Sequence, residues 1–344
     1  MNVSCGIVGL PNAGKSTLFN AILKKQAALV ANYPFATIKS NMGIVEVVDR
    51  RVDILQKLFN SANKKYSTLT VVDIAGLVKG AHKGEGLGNQ FLAEIKNVNL
   101  ILMLLRKFED DSVVRAGSVS PKEDRGVLEM ELALKDLQTL NDKANFGVLN
   151  NTIQKAIGVL GEGRLLLSEE WGEREREVLQ EFKLLTMKPI IYVLNVGERE
   201  LALGSSLNLE VEWEFVSAKL EFELSFLSKE DQREYLRQLG LDFNPLDNLI
   251  KKAYETLNLK TFFTANKNEA RAWKFIEGST ALECAEKVHT DFANNFIAVE
   301  VVPFENLKKA GSWEQAKSKG WVKMEGKGYM VKDGDVMLFR LGRG

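Results

Sequence analysis

Between an apolar run, Val3 to Val8, and a helix-like segment, Ser16 to Gln26, the chain carries Gly9-Leu10-Pro11-Asn12-Ala13-Gly14-Lys15-Ser16, a G-x-x-x-x-G-K-S phosphate loop. Few short motifs constrain a fold so strongly. The glycines let the backbone wrap a triphosphate with successive N–H groups pointing inward, and Lys15 reaches the β- and γ-phosphates. The Ser16 hydroxyl suits Mg²⁺, and the helix start adds its positive dipole end. Set between a strand and a helix, the motif identifies a nucleotide-binding protein. The candidate nucleotide contacts are Asn12, Ala13, Gly14, Lys15, Ser16 and Thr17.

A second element supports the first. Leu69-Thr70-Val71-Val72-Asp73-Ile74-Ala75-Gly76 is a β-branched strand ending in the D-x-x-G arrangement of a GTPase-type switch. Asp73 is expected on the Mg²⁺ side of the site, and the Gly76 N–H is expected to face the γ-phosphate. The stretch that follows has glycine at 76, 80, 84, 86 and 88, too many for a helix or a strand, and reads as a mobile switch. Apolar runs Asn99 to Leu105 and Pro189 to Leu194 alternate with helical patterns and extend a doubly wound parallel α/β sheet. The latter runs into Asn195-Val196-Gly197-Glu198, where GTPases carry the base-reading N-K-x-D. A fifth strand, Val211 to Val216, leads to Ser217-Ala218-Lys219, the place of the loop that packs against the base.

Length and composition bound the rest. The 344 residues, 45% of them hydrophobic, exceed one ordinary domain and imply two or three compact units. The 46 basic and 46 acidic residues cancel, so no global field favours nucleic acid or membrane. Cys5 and Cys284 lie far apart in apolar segments and read as buried free thiols. The N-terminus lacks a signal-peptide pattern and no apolar run approaches the roughly eighteen residues of a membrane span, so a cytoplasmic protein is expected.

Taken together, these stretches resemble the YchF family, the Obg-like ATPases within the Obg branch of phosphate-loop GTPases. The resemblance rests on Gly9 to Asn20, Asn32-Tyr33-Pro34-Phe35-Ala36-Thr37, Asp73 to Leu92, Asn195 to Glu198 and Ser217 to Glu221. Farther on it includes Leu259 to Trp273, His289-Thr290-Asp291-Phe292 and Gly334-Asp335-Val336. It covers nearly the whole chain. It implies a nucleotide domain (1–120 and 189–257) interrupted by a helical coiled-coil hairpin (121–188) and followed by a TGS-like β-grasp domain (258–344). The sequence supports this independently. Strand-like runs vanish between Pro121 and Lys188 in favour of charged helical patterns such as Leu128 to Leu137. There, Ile157 to Arg164 supplies a glycine-rich reversal and Glu173 to Leu185 a returning helix. From Asn258 short β segments take over: Lys260 to Ala265, Arg271 to Phe275, Phe296 to Val302, Tyr329 to Val331 and Val336 to Leu341. This region holds 14 Lys and Arg against 11 Asp and Glu, a faint hint of RNA.

The base-reading stretch departs from the GTPase pattern. The aspartate of N-K-x-D accepts two hydrogen bonds from guanine N1–H and N2–H₂, whereas adenine presents an acceptor at N1. Here Glu198 is one methylene longer and Val196 replaces the lysine, so guanine preference should be lost. The resemblance implies ATP instead, with Asn195 bonding the purine through its amide. Leu77 occupies the position of the Ras-type glutamine and can neither donate nor accept, so hydrolysis is expected to be slow. The resemblance also implies a potassium ion near Asn12 in place of an arginine finger. Catalytic roles fall to Lys15, Asn12 and Gly76, and metal binding to Ser16, Thr37 and Asp73. His82 reads as a surface loop residue. Arg106-Lys107-Phe108 departs from the family's R-C-F, and Val114 replaces a histidine usual nearby. The resemblance implies association with the ribosome or a ribosomal subunit, no membrane and no DNA. Two other readings remain open: an ordinary Obg-type GTPase, and an ATP sensor that binds ribosome or RNA without turnover.

Overall fold

The computed structural model describes residues 3–30, 41–74, 92, 94–110, 114–145, 150–203 and 213–342. Thr37, Gly76, Leu77 and His82, and most of the Asp73 to Leu92 segment, lie outside the described residues. The chain divides into two compact units, Met1–Val45 with Thr70–Leu249, and Glu46–Leu69 with Ile250–Gly344.

The first unit is organised by a six-stranded sheet in the order β2 (Met42–Val47), β4 (Ser67–Asp73), β1 (Ser4–Val8), β5 (Leu100–Arg106), β6 (Ile190–Asn195), β7 (Glu214–Val216). Strand β1 pairs parallel with β4 and β5, and β5–β6 and β6–β7 are parallel as well. Every residue of β1 and β5 is buried, which is why both read as continuous apolar runs rather than alternating ones. The strand order reverses at β1, and such a switch point opens a crevice at the carboxyl ends of the strands. The expected doubly wound sheet is therefore present.

The described elements between residues 121 and 187 are helical: α3 (Pro121–Asn145), α4 (Asn151–Gly161) and α5 (Glu173–Gln180), followed by a 3₁₀ turn, Leu185–Met187. They enclose an apolar cluster of their own, with Leu140, Ile153, Leu166, Trp171 and Leu179 among its members. The pattern differs in detail from the sequence reading. The stretch expected to reverse at Ile157 is helical through Gly161, because Gly158 and Gly161 stay within α4. The turn comes at Gly163, whose φ of +73° suits glycine. Helix α5 stops at Gln180 rather than Leu185. Asp136 of α3 fixes the far end: its carboxylate, fully buried, accepts from Leu185 N at 2.9 Å, Thr186 N at 2.7 Å and Thr186 Oγ1 at 2.7 Å.

The second unit holds the other six-stranded sheet, β11 (Lys323–Glu325), β10 (Phe296–Pro303), β12 (Asp335–Leu341), β8 (Leu259–Ala265), β9 (Glu269–Ile276), β3 (Asn63–Lys65). Its first and last C-terminal strands, β8 and β12, are parallel, and each has an antiparallel neighbour, β9 and β10. This is the order expected of a β-grasp unit. Two expectations change. Tyr329 to Val331 forms no strand, only an isolated bridge from Met330 to Thr280. Helix α2 (Arg50–Phe59) and β3, placed by the sequence reading in the nucleotide domain, belong here: β3 pairs with β9, and Val52 and Leu55 enter the apolar cluster around Phe263 and Val336. Arg51 adds an ion pair to Asp333 at 2.7 Å and lies over the Phe263 ring. Cys5 and Cys284 are both buried and not joined in a disulfide, and burial pushes the Cys284 thiol up to about 12.

Replacing Asp136 by alanine strands two backbone N–H groups and a hydroxyl in the interior. Asp136→Ala is expected to lower stability by about 3 kcal/mol in urea unfolding, and a loss below about 1 kcal/mol would contradict this role.

Candidate nucleotide site

The residues singled out in the sequence converge at the carboxyl edge of the first sheet. Ile7 lies beside Asp73 across the β1–β4 pair, one residue before β1 ends, and Asn195 lies beside both Arg106 and Val216. The ends of β4, β1, β6 and β7 thus present, in order, Asp73, the phosphate loop, Asn195 and Ser217. Helix α1 (Lys15–Val30) begins at the loop's lysine, so its unpaired first N–H groups open onto the same edge.

The loop is shaped by left-handed backbone at Asn12 (φ +60°) and Gly14 (φ +95°). Of these two, Gly14 also lacks room for a side chain: a Cβ there would lie 2.1 Å from Asn195 Nδ2. Gly9 meets a second constraint, since a Cβ there would lie 2.4 Å from the Leu104 carbonyl oxygen. The Lys15 ammonium donates to the Leu10 carbonyl at 2.8 Å and is 7% exposed. Burial lowers its pKa from the ordinary lysine value, opposed by the nearby Asp73. The Asp73 carboxyl is shifted the other way, upward by burial and downward by Lys15 and by a hydrogen bond from Ser16. An anionic phosphate entering here would meet a cation already stripped of water.

Ser16 and Asp73 provide a hydroxyl and a carboxylate, the oxygen donors a hard divalent cation takes. They fit Mg²⁺. Thr37, the third expected ligand, lies outside the described residues.

Asn195 joins the two halves of the site. Its Nδ2 donates to the Ala13 carbonyl at 2.9 Å and its Oδ1 accepts from the Ala218 N–H at 2.9 Å. Its own carbonyl accepts from the Lys107 and Phe108 N–H groups. The sequence reading gave this amide to the purine. In the structure it braces the phosphate loop against the base loop, with one amide hydrogen left over for an acceptor on a base. Val196 is buried in the apolar cluster of this unit with Leu194, Leu201 and Leu220. Ser217 caps helix α7 (Ala218–Leu224), Ala218 is buried, and Lys219 is exposed. One turn on, the fully buried Glu221 accepts from Lys25 of α1, Asn244 and the Leu246 N–H, holding α7 against α1.

Three residues make contacts that had no sequence signal. Asn12 Nδ2 donates to the Val114 carbonyl at 3.0 Å, so the loop asparagine reaches the segment that follows β5. Arg106, buried at the end of β5, donates to the carbonyls of Phe108 and Asp110. Tyr235 of α8 (Lys229–Gln238) donates its phenol proton to Glu198 Oε1 at 2.6 Å.

The fold and the site define a phosphate-loop nucleoside triphosphatase of the GTPase type. Residues 4–151 match the family model described as 50S ribosome-binding GTPase, and residues 259–342 match YchF-GTPase_C, described as a protein of unknown function. The chain is 41% identical to the Ribosome-binding ATPase YchF of Bacillus subtilis, over 99% of each chain. It is 40% identical to that of Mycoplasma genitalium, over 98% of this chain and 99% of the relative. The solved YchF GTPase of Schizosaccharomyces pombe superposes with a TM-score of 0.87 at 30% identity, over 98% of each chain. The chain belongs to the YchF family.

Gly14→Ala tests the loop geometry. The added methyl must displace Asn195 and hold φ near +95°, a strain of about 1–3 kcal/mol, so triphosphate affinity should fall by roughly ten- to a hundredfold in calorimetric titration. Unchanged affinity would mean that the loop can refold around an alanine.

Proposed function

We propose that this chain is a slow, switch-type ATPase that prefers ATP to GTP and whose nucleotide state governs association with a ribosome or ribosomal subunit. The observation that carries the base preference is the state of residues 195–198. A guanine clamp needs both oxygens of a short carboxylate. Glu198 has a longer side chain, and one of its oxygens already accepts the Tyr235 phenol. The ribosomal part rests on relatives that bear the name Ribosome-binding ATPase.

Within this reading each residue has a physical task. Lys15 draws in the β- and γ-phosphates, giving up its bond to Leu10, and the N–H groups from Ala13 to Thr17 surround them. A Mg²⁺ held by Ser16, Thr37 and Asp73 would neutralise charge between those phosphates. Asn12 would help hold a potassium ion, whose charge would do the work that an arginine finger does in other GTPases. Leu77 cannot orient water, which makes turnover slow. Thr37 and Gly76 sense the γ-phosphate and so carry the switch. No described helix is long and apolar enough to cross a membrane. The working compartment is the cytoplasm, and neither a membrane nor DNA is a partner.

Competition between ATP and GTP in the presence of Mg²⁺ tests the base preference: ATP should bind at least as tightly, and strong displacement by GTP would sink the proposal. Lys15→Ala should remove most triphosphate binding. Co-sedimentation with ribosomes should depend on which nucleotide is bound and should weaken as salt rises, because contact with ribosomal RNA releases counterions. A protein that ignores ribosomes in every nucleotide state leaves only an ATPase.

A further inference from the structure

Helix α8 is strongly polar, yet it is fixed in place on two sides. Leu236 is buried in the same apolar cluster as Leu201 of α6 (Glu198–Leu203), and the Gln232 side-chain amide donates to the carbonyls of Leu224 and Leu227 at the end of α7. Tyr235, on this anchored helix, is itself partly exposed and contributes little to the core. Its hydroxyl finds Glu198, 37 residues earlier in the chain, at 2.6 Å. This is a short, charge-assisted bond to the first residue of α6, at the position where a GTPase places its guanine-reading carboxylate.

We propose that Tyr235 is a positioning residue for base selectivity, its phenol holding the Glu198 carboxylate so that the site takes adenine in preference to guanine nucleoside triphosphates. This rests on the reading of Glu198 as the base-side carboxylate. Guanine offers two parallel donors, N1–H and N2–H₂, and requires both oxygens of one carboxylate turned to it in a common plane. The phenol takes one lone pair of Oε1 and, by tying the carboxylate to α8, fixes that plane. Adenine, with an acceptor at N1, requires no such pair and loses nothing when the carboxylate is engaged. The hydrogen bond to Glu198, more than any other influence, raises the Tyr235 phenol above the ordinary tyrosine value, aided by the charges of Glu198 and Glu223. It therefore remains a proton donor throughout the neutral range.

The test compares ATP and GTP affinities of the full chain, its Tyr235→Phe and Glu198→Gln variants, and Arg237→Ala as a control on the same helix. Tyr235→Phe should shift the ratio toward GTP by roughly threefold to tenfold, the scale of one hydrogen bond to a charged group near the surface, with the change arising from tighter GTP binding. Arg237→Ala should leave the ratio where it was. Phenolate absorbance supplies a second readout: the component absent from Tyr235→Phe should titrate at lower pH once Glu198 is changed to glutamine. Equal loss of ATP and GTP affinity in Tyr235→Phe, or an unmoved ratio, would overturn the inference. If the ratio moves in Glu198→Gln but not in Tyr235→Phe, Glu198 still reads the base and Tyr235 alone is misassigned. If neither variant moves it, Glu198 is not the base reader and the reasoning for ATP preference fails with the inference.

Discussion

A single side-chain amide, that of Asn195, holds the site together. It accepts from one loop and donates to another, linking Ala218, at the start of the base-side helix, to Ala13 in the phosphate loop. The main-chain carbonyl of the same residue gathers the N–H groups of Lys107 and Phe108. Three loops that leave different strands are thus referred to one residue at the end of β6. The arrangement is dense enough that the residue facing it must be glycine: any side chain at Gly14 would occupy the space of Asn195 Nδ2. The glycine usually explained by its closeness to phosphate is here also required by its closeness to an asparagine.

Charge follows from that geometry. The loop curls back so that Lys15 bonds its own Leu10 carbonyl, and burial weakens its hold on a proton. Asp73 feels the opposite burial effect and is steadied by Lys15 and Ser16. Lys15 is buried and Asp73 half-buried, and a Mg²⁺–triphosphate, with a cation for the carboxylate and anionic oxygens for the ammonium, would satisfy each better than the other can alone. Farther from the phosphates, Glu221 with Lys25 and Asn244 ties α7 to α1, joining the base end to the phosphate end.

The sequence revealed most where backbone conformation or continuous burial left no choice of residue. Gly9 and Gly14 mark the loop because a Cβ would collide at each, and β1 and β5 are legible because parallel strands buried on both faces are apolar along most of their length. Polar pieces were opaque. Strand β3 is Asn63-Lys64-Lys65, three residues with no apolar pattern, and its partner β9 lies some two hundred residues on. Gly158 and Gly161 suggested a turn, yet both sit in α4, where Ile153, Ala156, Val159 and Leu160 supply the buried face. Tyr235 gave no signal because one tyrosine on a charged helix acquires meaning only when folding brings Glu198 to it. Asn195 was readable in type and place, but its two backbone partners, Ala13 and Ala218, were not.

The most direct test of this account is amide hydrogen exchange on the full chain and on Asn195→Ala, without nucleotide. If Asn195 is the brace between the two loops, protection should fall together at the Ala218 N–H, which loses its acceptor, and at Ala13 through Leu18, whose loop loses its anchor. A change confined to Ala218, with the phosphate loop as protected as before, would show that the loop holds its shape alone and that the account places its central constraint on the wrong residue.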